Sequence, residues 1–359
     1  MWARASGLAR PETEALDPAA VVAAAAGIQA QDRRAARLSV WTRSRSLDAA
    51  AVDEALFRER SVVRTWAMRG TLHLVATEDV RWLLALLGPV FVAASRRRYA
   101  ELGLDEQASA SAVDAIAAAV AADGPLSSAA LAERIRDRGV DVEPGSQAVA
   151  HLVRRAALEG VVCCGPEDGT RGTYVGLADW IGDRAGDGHA RPPLGGDAAL
   201  AELARRHLAA FGPARPEDFA SWSGLTLARA RAAWRLLEGR LTEVVAAGRP
   251  AWVLAGIDVG VGHGGPPSVR LLPAFDTYLL GHRGRELIVE DRFARRVWPG
   301  GGWIHPTVVV DGKAAGTWKL GSGGGSAAVV VEPFEALATD AAAALDADIH
   351  RVGAFLGTS

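Results

Sequence analysis

The chain has 359 residues, 49% hydrophobic, 23% charged and 6% aromatic, which is too long for one small domain and too apolar for a disordered protein. Forty basic residues against forty-two acidic ones leave a net charge of -2, so binding of nucleic acid through bulk charge is excluded and a local basic face is not. All the basic residues except Lys313 and Lys319 are arginine, the better fork for phosphate. Cys163 and Cys164 are adjacent, where a bond between them would be strained, so the sequence supports neither a disulfide framework nor a zinc site. No apolar run approaches a membrane span, and the N-terminus lacks a basic stub followed by an apolar core. The expectation is a soluble, cytoplasmic protein with no membrane partner.

The winged-helix topology runs helix, short strand, helix, helix and a two-stranded wing, and it can be read three times along the chain. In the first copy Asp17 caps a helix through VVAAAA that stops at Gly27, and Ile28-Gln29-Ala30-Gln31 follows as an extended stretch. Asp32 caps the next helix, DRRAARLSVWTRS, and Ser46-Leu47-Asp48 opens AAAVDEALFRER. VVRTWAM and TLHLVA then alternate as a wing around Arg69-Gly70. The second copy runs from Ser109 through SAVDAIAAAVA, Gly124-Pro125-Leu126, SSAALAERIRDRG and SQAVAHLVRRAALEG to VVCCG and TYVGL, which flank PEDGTRG. The third takes ALAELARRHLAAF, Gly212-Pro213, RPEDFASWSG and TLARARAAWRLLEG, and closes with LTEVV and AWVL around Ala247-Gly248-Arg249.

The predicted class is α+β, three tandem winged-helix units followed by a β-rich region and a closing helix. The boundaries are 1–104, 105–181, a Gly/Pro/Asp-rich linker at 182–197, 198–262, the β-rich region at 263–333 and the helix within 334–359. A second break lies between Gly260 and Pro267. Beyond it VRLLPAFDTYLLGHRGRELIV, HPTVVVDGKAAGTWKL and SAAVVVEP read as strands, with a hairpin in LLGHRGRELIV and a hairpin loop in GSGGGS at 321–326.

Gln29 and Gln31 are two residues apart, which on a strand sends both side chains to one face and on a helix would separate them by about 200°. A short strand therefore pairs two amides. By spacing alone they also fit solvated polar residues at a helix end.

The blocks GIQAQD, RTWAMRGTLHLV, LLPAFDTYLLGHR and VVVDGKAAGTWK, in that order and spanning nearly the whole chain, resemble the winged-helix DNA glycosylases of the AlkZ and YcaQ type. The resemblance implies three tandem winged helices with a β-rich C-terminal part, and catalysis by a Gln-apolar-Gln or Gln-apolar-Asp motif. Gln29, Ala30 and Gln31 match the first form, that of the AlkZ-like branch, whose members remove bulky or crosslinking N7-alkylpurine adducts. The other branch would carry Asp where Gln31 stands, and Ala30 is a small version of the apolar middle residue. The activity implied by the resemblance is that of a monofunctional glycosylase without metal or cofactor. It would act as a monomer on double-stranded DNA carrying alkylated purines, with self-resistance to a genotoxic natural product as one setting. The competing function is a non-catalytic winged-helix DNA-binding protein, a regulator or damage sensor.

Arg69, Thr71 and His73 lie at or beside the first wing, which this topology puts next to the strand carrying the glutamines, and are candidates for DNA contact. Arg69 equally fits a solvated turn and His73 a core histidine. His282, Arg283 and Arg285 sit in the predicted C-terminal hairpin; the family is similar in using such a hairpin on DNA, and an ordinary Gly-rich turn is the other reading. Asp276 in PAFDTY is expected to salt-bridge an arginine within the fold, with a catalytic role as the other reading. Arg33, Arg34, Arg37, Arg43 and Arg45 surround the first unit's second helix, with Arg33 and Arg43 as phosphate-binding candidates, and Arg96, Arg97 and Arg98 form a basic run. Trp66 and the remaining tryptophans are expected in the core.

Overall fold

The computed structural model describes residues 8, 17–44, 47–169, 171–182, 194–257, 267–321 and 329–356. Arg45, most of the linker expected at 182–197, the break before Pro267 and most of the Gly-Ser loop at 321–326 lie outside the described residues.

The chain opens with α1 (Pro18–Ala24), β1 (Ile28–Gln29), α2 (Arg33–Ser44), α3 (Ala49–Phe57), β2 (Val62–Trp66) and β3 (Leu72–Ala76). Next come α4 (Thr77–Ala94), α5 (Arg96–Glu101), α6 (Glu106–Asp123), β4 (Leu126–Ser127), α7 (Ser128–Asp137), α8 (Gln147–Leu158), β5 (Val162–Asp168), β6 (Arg171–Gly176) and α9 (Leu177–Ile181). They are followed by α10 (Gly196–Phe211), α11 (Pro216–Ser223), α12 (Leu227–Leu236), β7 (Leu241–Ala246) and β8 (Arg249–Leu254). The last elements are β9 (Val269–Leu272), α13 (Ala294–Val297), β10 (Thr307–Val310), β11 (Lys313–Leu320), β12 (Val329–Pro333) and α14 (Thr339–Leu356). This α+β chain forms two compact units, one of residues 54–200 and one of 1–53 with 201–359.

In the unit of residues 54–200, β4, β5 and β6 form an antiparallel sheet in the order β4-β6-β5, so the short strand between two helices closes against the second strand of the hairpin. The helices around it start where small polar residues satisfy their first amides: Asp105 accepts from Ala108 N at 2.7 Å and Ser127 from Ala130 N at 3.3 Å. Apolar residues at helical spacing, Leu131 and Ile135 on α7 and Val149, Leu152, Val153 and Ala156 on α8, build its core with Ile116. Cys163 and Cys164 are buried and not joined in a disulfide, and burial pushes the Cys163 thiol up. In the hairpin of β2 and β3 the pairing runs from Val62 with Ala76 to Trp66 with Leu72.

In the other unit, α11, α12 and the β7–β8 hairpin repeat the helix-helix-wing order. Ala214 bridges Trp252 where a first strand would stand. Ala247 and Gly248 have φ of 48° and 71°, the pair of positive values that a tight two-residue hairpin turn requires. Strands β9 to β12 form a four-stranded antiparallel sheet in the order β12-β11-β10-β9. Its residues alternate between two cores: Leu271 and Val308 pack with Leu38 and Trp41 of α2 and Val352 of α14, whereas Leu272 and Val309 pack with Tyr278, Leu279 and Trp298. The sheet is thereby sandwiched between two helices on one side and the segment 273–305 on the other.

That segment differs from the expectation. In place of strands and a hairpin it folds as short 3-10 turns at Thr277–Leu280, Arg285–Leu287 and Asp291–Phe293, followed by α13. Thr277, Tyr278 and Leu279 are buried in succession, as are Leu287, Ile288 and Val289, which a strand alternating between two faces cannot achieve. Asp276 also accepts from Tyr278 N at 2.9 Å, a local bond that starts a turn. A Cβ on Gly281 would lie 2.3 Å from the Phe211 ring, so only glycine lets this arch lie against α10.

Candidate active site

The expected caps define the stretch that carries the glutamines. Asp17 accepts from Ala20 N at 2.7 Å to start α1, which ends through Ala26 and Gly27 at φ of 55° and 94°. Ile28 and Gln29 form β1, and Asp32 accepts from Ala35 N at 2.8 Å to start α2. Ile28 and Ala30 are fully buried and anchor the strand, so the side chains of Gln29 and Gln31 share the other face. Gln29 is 7% exposed and Gln31 is open to solvent. The two meet: Gln29 Nε2 donates to Gln31 Oε1 at 2.5 Å. Neither amide ionises in the working range of a protein.

The backbone on both sides of this pair is held by one short segment. Before it, Thr277 Oγ1 donates to the carbonyl of Gly27 at 3.3 Å. After it, α2 is fastened through Arg43, whose Nη1 and Nη2 donate to Asp276 Oδ2 and Oδ1 at 3.0 and 2.7 Å, and through Ser39 Oγ, which donates to Asp276 Oδ2 at 2.6 Å. With the Tyr278 amide, the carboxylate accepts four hydrogen bonds, its full capacity. Arg43 is 3% and Asp276 1% exposed. The phosphate-binding role expected for Arg43 is therefore corrected: its guanidinium is enclosed and committed to the fold. Asp276 is the internal salt-bridge partner that the sequence led us to expect.

His282 needs the same correction. It is buried, its Nε2 lies 3.3 Å from the carbonyl of Pro213, and burial lowers its pKa, so it does not stand at an exposed tip. Arg283 and Arg285 are exposed on the arch. The Arg283 amide donates to Asp218 Oδ1 at 2.9 Å, and the Arg285 guanidinium sits 4.8 Å from the centre of the Trp298 ring. Arg33 is half-buried at the start of α2.

Arg69, Thr71 and His73 belong to the unit of residues 54–200. Arg69 sits in the turn between β2 and β3 at φ 54°, half-buried, and burial lowers its pKa to about 10. Thr71 Oγ1 donates to the carbonyl of Met68 at 3.1 Å, and His73 Nδ1 lies 2.9 Å from the carbonyl of Thr71, which makes Nδ1 the protonated nitrogen. Arg154 of α8 clasps the same turn, donating to Gly70 O at 3.1 Å and Ser95 Oγ at 2.9 Å. His73 is 1% exposed, and burial beside Arg69 drives its pKa down to about 3. It is a neutral core histidine that shapes the turn carrying Arg69. Trp66 packs on the unit's core, its ring 6.3 Å from that of Tyr174.

The sequence reading missed one aromatic. Trp303 is 61% exposed, on a loop where Gly300, Gly301 and Gly302 all have positive φ. Three glycines before a tryptophan were the available signal.

A half-buried, uncharged amide pair on a short strand between two helices marks a site that works without charge, and comparison with known proteins gives the chain a family. The AlkZ-like DNA glycosylase description matches residues 22–355, and the chain belongs to that family of DNA glycosylases. Among its relatives is the interstrand DNA cross-link repair glycosylase of Streptomyces sahachiroi, 30% identical over 319 residues, or 84% of this chain and 81% of the relative. The solved structure of the Streptomyces sahachiroi DNA glycosylase AlkZ is similar with a TM-score of 0.82 at 27% identity, covering 98% of this chain and 95% of that one. A non-catalytic regulator is thereby displaced as the reading of the whole chain.

Two measurements test these assignments. Removing one member of the buried pair leaves the other charge uncompensated, so Asp276→Ala is expected to destabilise by about 3–5 kcal/mol, and Arg43→Met with Asp276→Leu by less than that single change. Urea denaturation gives both numbers, and a double variant as unstable as the single one would sink the argument. His207, fully buried against Phe211, Phe219 and Trp222, has its pKa lowered to about 3, like His73. Both stay neutral in the folded protein while the unfolded chain takes up protons below about pH 6.5. Their contribution to stability is whole above that value and lost as pH falls from it toward about 3, with a slope of up to about 1.4 kcal/mol per pH unit for each histidine. Unfolding curves across that range check it, and His73→Gln should flatten the slope.

Proposed function

We propose that the chain hydrolyses the N-glycosidic bond of N7-alkylated purines in double-stranded DNA, bulky and interstrand-crosslinking adducts among them, with Gln29 and Gln31 as the catalytic pair. The observation that carries this reading is the meeting of the two amides at the end of β1, with the backbone tied down on either side.

An alkyl group at N7 makes the purine cationic. When the bond from C1′ to N9 breaks, its electron pair neutralises the base, so the leaving group needs no protonation. The sugar develops oxocarbenium character, and a water oxygen bonds to C1′ while its proton passes to solvent. What remains for the protein is to place that water and face the growing positive charge with acceptor oxygens, which carbonyl dipoles of glutamine provide. Amides do this more weakly than carboxylates, which suits a base already prone to leave and gives selectivity against unmodified purines.

Water, not an amine, is the nucleophile in this reading. The two lysines are engaged elsewhere, Lys313 Nζ with the carbonyl of Leu287 at 2.5 Å and Lys319 with Glu332 at 2.7 Å, which supports hydrolysis without a Schiff-base lyase step. Arg33, Arg69, Arg283 and Arg285 neutralise DNA phosphates, with Thr71 and His73 fixing the turn that presents Arg69. Three winged-helix units supply the scaffold in this reading, and the middle one is an internal support, as the pairing of Arg155 on α8 with Glu106 and Glu159 at 2.5 and 2.8 Å suits.

Single-turnover release of 7-methylguanine from a duplex oligonucleotide tests the proposal. Gln29→Ala with Gln31→Ala is expected to lower the rate on the order of a hundredfold or more with DNA affinity retained. Equal rates for parent and variant would remove the glutamines from the mechanism.

A further inference from the structure

We propose that the cleft beside Gln31, together with Trp303, receives an aromatic group carried by the adduct, and so selects bulky lesions over small ones. This rests on the glycosylase reading above and assigns the part of the substrate that the glutamines do not touch.

The cleft has a volume of about 490 Å³ and lies within the unit that holds the glutamines. Its walls are mostly apolar, with Leu38, Pro273, Pro306, Trp318 and Leu320 among them and Arg34 and Lys319 balancing Asp32 and Glu332. Asp32, the residue after Gln31, lines the cleft, which places it next in the chain to the amide pair. That volume and lining suit a planar organic group of modest size.

Two of the wall segments also carry an aromatic pair, half-buried Phe275 and exposed Trp303. Pro273 and Ala274 precede Phe275, and His305 and Pro306 follow closely on Trp303. The rings of Phe275 and Trp303 lie 5.5 Å apart at an angle of 41°, leaving much of the indole in solvent. The pair is held firmly. Trp303 N donates to Gly300 O at 3.0 Å across the glycine turn, and Phe275, itself at φ 59°, is joined to Asp276 and through it to α2. Seven of the other tryptophans are less than a tenth exposed. A large aromatic face kept in water on a braced loop is the arrangement proteins use to stack a base or a similar flat ring.

The test uses two duplexes that differ at one nucleotide, a guanine carrying either a methyl or a naphthylmethyl group at N7, each on a 2′-fluoro sugar that resists hydrolysis. Parent protein is expected to bind the naphthylmethyl duplex more tightly, with quenching of tryptophan fluorescence. Trp303→Ala should reduce that preference about tenfold, and Trp303→Phe should restore most of it. Because the side chain is mostly exposed, the melting temperature of the variants should match the parent and exclude a folding defect. No preference in the parent, or one that Trp303→Ala leaves unaltered, overturns the assignment. So does an equal loss on both duplexes, which would give Trp303 to the base itself. A preference that depends on Trp303 in a protein that releases neither base from ordinary deoxyribose would uphold this inference while refuting the catalytic reading.

Discussion

The ion pair between Arg43 and Asp276 is the constraint on which the arrangement of this unit depends. It links residues 233 positions apart in the chain, inside a core where an unpaired charge of either sign would be costly. Its carboxylate is saturated by hydrogen bonds, and its neighbour Thr277 reaches the carbonyl just before β1. The two-residue strand that bears Gln29 is too short to be rigid by itself. Its geometry comes from having both flanks bound to the same few residues of the arch. The same arch presents Phe275 and, through its glycine turn, Trp303, so one buried anchor serves the amides and the aromatic pair alike.

The chemistry of the site follows from its lack of charge. Glycosidases that act on neutral leaving groups place a carboxylic acid to protonate them and a carboxylate to meet the oxocarbenium ion. Here two amides stand at the candidate site, and the titrating groups near them have other duties: Asp32 caps a helix and Asp276 is ion-paired. Such a site can lower a barrier by orientation and dipoles but supplies no proton. On the proposed reading the substrate brings its own activation, an alkyl group at N7 that places positive charge on the base.

Much of this was legible in the sequence because it is local. The caps at Asp17, Asp32 and Asp48, the turn at Ala247-Gly248 and the shared face of Gln29 and Gln31 depend on residues a few positions apart, and the pattern of side chains states them directly. The arch of residues 273–305 was not legible. Its alternating look suggested strands, whereas successive burial of Thr277, Tyr278 and Leu279 against a distant sheet dictates 3-10 turns. Arg43 looked like its neighbours in an arginine-rich helix, and only its distant partner distinguishes it. His282 is drawn inward by the α10–α11 corner, and Trp303, expected in the core with the other tryptophans, is held out by three glycines.

The most direct test of the account is the dependence of excision on the charge of the leaving base, measured as single-turnover release by the parent protein from two duplexes, one holding 7-methylguanine and one hypoxanthine. A neutral amide site predicts release of the cationic base and none above background for the neutral one. Release of hypoxanthine at a comparable rate would mean that a proton donor acts in the site, and would contradict catalysis by the two glutamines alone.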